Sequence, residues 1–160
     1  MVRIRDLALR HRLFMHTYRW RTLDPVPVTE RSKPLEECVV ALVSSAGLVV
    51  PGDRPFDSDI KGGDWSWRTV PSDAEVQSLE EHHRSDAFDH SGIERDRNIG
   101  LPLDRLHELA AHGVIGAVAP RHVSVMGSIT APGRFQRDTV PEIVDRLTGD
   151  HVDVALLVPV

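Results

Sequence analysis

The chain ends with seven consecutive apolar residues, 154–160, in the order Val-Ala-Leu-Leu-Val-Pro-Val. A continuous apolar run that follows a turn signal such as Gly149-Asp150 is typical of a strand buried on both faces of a parallel sheet. Such a strand lies centrally, and the ligand site of an open α/β sheet lies beyond the carboxyl ends of its strands. We therefore expect a functional site beside Val160. We also expect the domain to continue past it, because a buried strand would otherwise stop inside a core.

Four further segments have regular patterns that predict the fold class. Residues 38–43 form a second continuous apolar strand, and 114–118 form a third. Residues 101–113 have one apolar helical face, with Pro102 in the first turn and Gly113 at the end. A second helix follows Thr139, whose spacing to Glu142 is that of a capping box. The order of strands and helices predicts an α/β fold: a mostly parallel sheet with flanking helices, built from βαβ units.

The stretch 51–98 lacks a regular period, and we expect a long irregular excursion over the strand ends, with short strands near 67–70. Its aromatic residues argue against disorder. The N-terminal part, 1–34, is predicted to be a basic helix followed by an extended arm, since 1–21 hold six arginines and one acid. A solvated basic face is favoured there over a helix that docks on an anionic surface or a partner. Residues 35–160 are predicted to form the α/β domain.

Composition excludes several classes of function. The net charge of −5 over 160 residues gives no support for nucleic-acid binding. No apolar run approaches the roughly 18–20 residues of a membrane span, and the first residues lack the pattern of a secretory signal. A single cysteine, Cys38, excludes a disulfide within these 160 residues and favours a reducing, cytoplasmic location. We expect no membrane or nucleic-acid partner.

Three segments place polar residues after, or in a loop covering, a predicted core strand. We expect them to converge near Val160 as a substrate pocket. The segments contribute Ser44 and Ser45, Asp89 and His90, and Arg121 and His122.

The histidines of the long excursion allow a second interpretation. Imidazole and carboxylate side chains crowd nine positions and together could bind zinc or iron. Because no cysteine joins them and the spacing matches no closed-site pattern, we favour a polar loop and assign no metal ligand. A metal-dependent enzyme stays an alternative that would use His82, His83, Asp86, Asp89 and His90.

Several stretches in order resemble one known family. They are 40–47 (Val-Ala-Leu-Val-Ser-Ser-Ala-Gly), 63–71 (Gly-Asp-Trp-Ser-Trp-Arg-Thr-Val-Pro), 96–106 (Asp-Arg-Asn-Ile-Gly-Leu-Pro-Leu-Asp-Arg-Leu), 113–116 and 119–127. Over 35–160 the chain is similar to selenoprotein B, the selenocysteine-bearing subunit of glycine, sarcosine and betaine reductases and of D-proline reductase. The resemblance does not specify the substrate.

The resemblance implies an oxidoreductase subunit whose nucleophile is a selenol. In the family, a selenocysteine motif follows the strand that matches 154–160. This chain contains no catalytic residue of that kind, and we expect the selenocysteine directly after Val160. The implied partners are a subunit whose pyruvoyl group holds the substrate, a thioredoxin-like or other selenol/thiol carrier, and a small amino acid or betaine. Reductive C–N cleavage, with a disulfide formed from the reductant, is the implied reaction. A nucleophile-free binding or assembly subunit of the same fold is an alternative.

Overall fold

The computed structural model describes residues 8–17, 22, 24–26, 28–85 and 90–160. The chain divides into two units, Met1–Glu30 and Arg31–Val160. In the first unit one helix, α1 (Leu9–Thr17), lies where the sequence predicts a basic helix, and Arg10 and Arg12 are exposed on it. No helix in the described part of the chain is both long and apolar enough to cross a membrane.

The second unit is a mixed α/β structure, so the predicted fold class is confirmed. Its strands are β1 (Val39–Ser44), β2 (Leu48–Val49), β3 (Trp67–Pro71), β4 (Glu80–Glu81), β5 (Ala117–Val118), β6 (Arg121–Val125) and β7 (Val154–Val158). Its helices are α2 (His90–Arg95), α3 (Leu103–Ala111), α4 (Pro132–Arg134) and α5 (Val140–Gly149). A π-helical turn, Phe135–Thr139, joins α4 to α5. Short 3-10 turns occupy Leu35–Glu37, Val76–Ser78 and Arg97–Ile99.

The central strand of the main sheet is β1. It runs parallel to β5, β6 and β7, and β3 pairs antiparallel with the outer side of β6. Val40 pairs with both Val118 and Val154, which must lie on opposite sides of it. The strands β5 and β6 therefore form one interrupted line on one side of β1, with β7 on the other.

The position of β7 corrects one prediction. Residues 154–158 do form a parallel strand, but it is an edge strand in the described part of the chain and not a central one. Leu156 is 46% exposed and Leu157 is 68% exposed. An apolar run cannot by itself distinguish a centrally buried strand from an apolar edge, because both have the same periodicity.

Helices cover both faces of the sheet. On one face Leu42 of β1 and Val70 of β3 pack with Leu103 and Leu106, which form the buried side of α3. Val123 and Val125 belong to a smaller core on the other face, where Ile143 is the buried residue of α5. Successive side chains of a strand point to opposite faces of the sheet, and in a parallel sheet covered on both faces all of them are buried. This explains the continuous apolar run of β1.

The helix that leads to α5 begins earlier than the sequence predicts. Residues 132–149 are helical throughout, so Thr139 lies within the helix. The Thr139 side chain makes no cap hydrogen bond, and its hydroxyl donates to the carbonyl of Trp65. The capping-box prediction is therefore wrong, because Thr139 binds the long excursion instead of a helix end.

The long excursion is ordered by two buried or half-buried charges. The Asp64 carboxylate accepts the N–H groups of Asp57 at 2.9 Å and Ser66 at 2.8 Å. The Arg68 guanidinium donates to the carbonyls of Arg54 and Pro55. Burial alone would raise the pKa of Asp64, but these hydrogen bonds outweigh it and lower that pKa. These two hydrogen-bonded charges thus organise the part of the excursion that precedes β3.

Candidate active site at the carboxyl edge of the sheet

The carboxyl ends of β1, β6 and β7 meet at one edge of the sheet, where hydrogen bonds join them. The turn after β1 donates the Ser45 N–H to the Val158 carbonyl at 3.1 Å and the Gly47 N–H to the Val125 carbonyl at 2.9 Å. Val160 in turn donates its N–H to the Ser45 Oγ at 2.9 Å. One turn therefore bridges both neighbours of the central strand, as expected for a ligand site in an α/β sheet.

The two serines predicted for the pocket have different surroundings. Ser44 is fully buried, donates its hydroxyl to the Gly100 carbonyl at 2.5 Å and accepts the Ala46 N–H at 3.0 Å. These bonds make Ser44 a turn-stabilising residue. Ser45 is half-buried and holds the backbone of Val160. Only Ser45 presents its side chain at the edge beside β7.

Gly127, which follows β6 closely, was not predicted as a site residue. Its φ is +67°, and a Cβ there would overlap the Ser45 carbonyl oxygen and lie 2.7 Å from Nε2 of His83. A residue with a side chain cannot occupy this position without displacing its neighbours. The signal in the sequence was a glycine just past a short alternating strand, which marks a close approach of backbone.

Glu81, His83 and His90 form a cluster next to this edge. The Nδ1 atom of His90 lies 2.9 Å from both carboxylate oxygens of Glu81, and the His83 N–H donates to Glu81 Oε1 at 3.1 Å. The two imidazole rings are 6.2 Å apart and edge-on. His90 was a predicted pocket residue, and this cluster holds its ring beside that of His83.

The two histidines differ in charge. Burial lowers the pKa of His83, and the hydrogen bond that the His90 ring donates to the Glu81 carboxylate raises the pKa of His90. Nδ1 of His83 accepts the Ser85 N–H at 3.2 Å, so the neutral ring carries its proton on Nε2. At neutral pH the atom of His83 nearest to Gly127 is therefore an uncharged N–H donor.

Arg121 and His122 are not brought to this edge. Arg121 is the first residue of β6, at the amino edge of the sheet, and its guanidinium holds both oxygens of Asp150, with Nε 2.9 Å from Oδ2. His122 is fully buried, and its Nδ1 accepts the Leu42 N–H at 3.0 Å. The sequence placed both residues after 114–118, but the strand resumes as β6 at Arg121. They therefore begin a strand where the end of one was expected.

The remaining candidates are Asp86 and Asp89, which lie outside the described residues. Among the residues that the structure does describe, no three His, Cys, Asp or Glu side chains are grouped as metal ligands. His82 has its Nε2 atom 3.6 Å from a carboxylate oxygen of Glu80. Cys38 is buried, and its thiol donates to the Pro34 carbonyl at 3.2 Å, which is the environment of a structural thiol.

The chain is similar to a known protein family and to two curated proteins. The model of the family described as glycine/sarcosine/betaine reductase selenoprotein B matches residues 6–159. A D-proline reductase subunit gamma from Acetoanaerobium sticklandii is 35% identical over 136 residues, which cover 84% of this chain and 54% of that protein. The sarcosine reductase complex component B subunit beta from Peptoclostridium acidaminophilum is 29% identical over 124 residues, which cover 75% of this chain and 28% of that protein.

No solved structure gives a significant match. The chain spans about half the length of one curated relative and less than a third of the other. The family model, in contrast, matches nearly every residue of the chain, including the strands and turns that form the carboxyl edge. The chain therefore belongs to the glycine/sarcosine/betaine reductase selenoprotein B family.

Proposed function

We propose that this chain is the part of a selenoprotein-B-type reductase subunit that precedes the selenol nucleophile, with a selenocysteine directly after Val160. The observation that carries the proposal is the hydrogen bond from the Val160 N–H to Ser45 Oγ, directly after a family match over residues 6–159. A residue that follows Val160 would leave the sheet at its carboxyl edge, which is where ligands bind in this class of fold.

The residues at this edge fit such a group. Gly127 lets the loop after β6 pack closely against the Ser45 carbonyl and the His83 ring, where a Cβ would overlap. The neutral His83 ring adds no further buried charge beside it. The role of Glu81 is to hold the backbone of His83 and the ring of His90 in one arrangement. This chain would thus hold the turn beside its nucleophile in one arrangement.

The reaction we propose is reductive cleavage of a C–N bond in a small amino acid or betaine. The selenolate would attack carbon and form a Se–C bond, while the C–N bond breaks and leaves its electron pair on nitrogen. Two thiols would then reduce the Se–C bond, release the reduced carbon product and become a disulfide. A selenol suits this role because it is ionised at neutral pH, as an activated thiolate is. A pyruvoyl group on a partner subunit would hold the nitrogen of an amino-acid substrate.

Several partners follow from the proposal. Both curated relatives are named as subunits, so we propose that this chain also works within a hetero-oligomer. The exposed apolar side chains of β7, Leu156 and Leu157, are a surface that a neighbouring subunit could cover. A thioredoxin-like or other selenol/thiol carrier would supply the thiols. The buried, reduced Cys38 suits a cytoplasmic setting.

The codon after Val160 tests the proposal directly. We expect UGA, followed in frame by coding sequence that supplies a cysteine within a few codons. The native protein from selenium-supplied cells should then contain one selenium atom per chain by elemental analysis. A UAA or UAG codon, or stop-rich sequence after UGA, would contradict the proposal and favour a nucleophile-free binding subunit.

The same purified protein distinguishes the metal-dependent alternative. Stoichiometric zinc or iron without selenium would favour an enzyme that uses the histidines of 82–90. Selenium without stoichiometric metal, together with thiol-dependent cleavage of glycine, sarcosine, betaine or D-proline by the assembled complex, is the result we expect.

A further inference from the structure

A second cavity, distinct from the carboxyl-edge site, lies between two loops of the larger unit. Its volume is about 600 Å³, within the usual range for small-molecule sites. Residues 61–65 form one wall and residues 130–137 form the other. Since the second wall follows the loop after β6, the cavity and the carboxyl edge share the connection 126–131.

Two glycines allow these walls to meet. Gly62 and Gly63 have φ values of +94° and +96°. A Cβ on Gly62 would come within 2.8 Å of the Ala131 side chain, and one on Gly63 within 2.9 Å of the Ile129 Cα. The Ala131 N–H also donates to the Gly62 carbonyl at 3.2 Å. The floor of the cavity is therefore a fixed contact of backbone with backbone.

The charge of the cavity is opposite to that of the chain. Its described lining includes Lys61, Arg134 and Arg137 but no acid, whereas the whole chain has a net charge of −5. Arg137 is paired with Asp138 just outside the lining, through contacts of 2.7 and 2.8 Å. The lining thus keeps a net positive charge, which attracts anions.

Trp65 positions one of these cations. The Arg134 guanidinium lies 4.6 Å from the centre of a Trp65 ring, and the Trp65 carbonyl accepts the hydroxyl of the buried Thr139. A guanidinium that stacks on an indole keeps its N–H groups available around the rim of its plane. Arg134 can therefore present a planar pair of donors to a ligand without losing its stacking contact.

We propose that this cavity binds the carboxylate of a small amino-acid-type ligand through Arg134, with Lys61 and Arg137 contributing charge. The geometry supports a carboxylate because a guanidinium fork matches its two oxygens. The connection 126–131 links this cavity to the loop that carries Gly127.

Binding to the purified chain tests this inference. The probes are glycine, sarcosine, D-proline and betaine, with glycinamide and D-prolinamide as uncharged-end analogues and inorganic phosphate as a competing oxyanion. We expect saturable binding of at least one carboxylate and none of the amides, measured by calorimetry or amide chemical shifts. Arg134→Gln should weaken binding about tenfold or more, the loss of roughly one charged hydrogen bond.

The matched control is Arg105→Gln, which removes an exposed arginine of α3 that is paired with Glu108. It changes the net charge by the same amount and should leave binding unchanged. Equal weakening by both variants, binding of phosphate alone, or no saturable binding would overturn the inference. None of these results bears on the codon after Val160, so failure here and failure of the proposed reductase function are separable.

Discussion

The Nδ1 atom of His122 accepts the backbone N–H of Leu42 at 3.0 Å, in place of the carbonyl that a continuous strand would provide. It does so at the break between β5 and β6, where β1 would otherwise have an unpaired N–H group. Burial lowers the pKa of His122 to about 4. His122, which the sequence predicts as part of a substrate pocket, therefore completes the hydrogen bonding of the central sheet.

This arrangement predicts a pH-dependent stability. The unfolded imidazole titrates near 6.5 and the folded one near 4, so the unfolded state binds more protons between these values. The contribution of His122 is complete above pH 6.5, and about 3 kcal/mol of it is lost as the pH falls to 4. We expect His122→Asn, whose amide oxygen can replace Nδ1, to flatten this loss in urea unfolding measured across pH.

An exposed histidine provides the control for that experiment. His112→Asn changes an exposed ring at the end of α3 and should keep the wild-type pH profile. A wild-type stability that is constant between pH 6.5 and 4.5 would contradict the assignment of a neutral, buried His122.

The second prediction concerns the ion pair of Arg121 and Asp150. Arg121 is partly exposed but the Asp150 side chain is only 5% exposed, so loss of the arginine leaves a buried carboxylate without its partner. We expect Arg121→Gln to lower the free energy of unfolding measurably. In a double-mutant cycle, Asp150→Asn should remove most of that effect. Additive losses would show that the two residues act independently.

The third prediction concerns the charges of the carboxyl-edge cluster. Glu81 raises the pKa of His90, so the stabilisation from this pair is complete below pH 6.5 and is lost as the pH rises through the folded-state value. In a histidine NMR titration we expect His90 to titrate above 6.5 and His83 below it. Glu81→Gln should move the His90 midpoint down. An unchanged midpoint would remove Glu81 as the cause.

The fourth prediction uses two glycines with the same backbone conformation. Gly127 and Gly113 have φ values of +67° and +69°, but a Cβ is obstructed only at Gly127. Gly113→Ala should cost only the strain of positive φ, about 1 kcal/mol, and Gly127→Ala should cost at least 1 kcal/mol more. Thermal unfolding of both variants checks this. Equal losses would mean that the edge at Gly127 tolerates a side chain.

The fifth prediction concerns the exposed apolar side of β7. Apolar edge strands pair readily with other chains, so we expect concentration-dependent association of the purified protein in sedimentation. Leu157→Lys should weaken it. Leu109→Lys, at a 41% exposed position of α3, is the control and should not. A wild-type protein that stays monomeric at all concentrations would contradict the prediction.

The sequence supported the fold better than the site. The continuous apolar run of β1 and the amphipathic face of α3 both depend on local periodicity, and both elements lie where predicted. The interruption between β5 and β6 depends on a side chain from one strand that bonds a backbone group of another, which no local pattern contains. For this reason Arg121 and His122 were placed at the wrong end of a strand.

The same limit explains the residues that were missed. Gly127 matters because of its proximity to Ser45 and His83, residues more than forty positions away. Trp65 was recognised only as a sign of order, and its stacking with Arg134 became visible only when the helix 132–149 was placed against the excursion. Contacts between distant segments decide which of many polar residues converge.

β7 has one consequence for regulation. Its outward side chain Leu157 is exposed, and the residue two positions past its end, Val160, is bonded to Ser45. If a paired strand shifts by one residue, its side chains turn to the opposite face of the sheet. A subunit that pairs with β7 would therefore fix the register of β7 against β1. The position of Val160 at the carboxyl edge would then depend on assembly with that subunit. Under the proposed function, turnover per chain should rise with the concentration of the partner and fall on dilution, even when the chain itself stays folded.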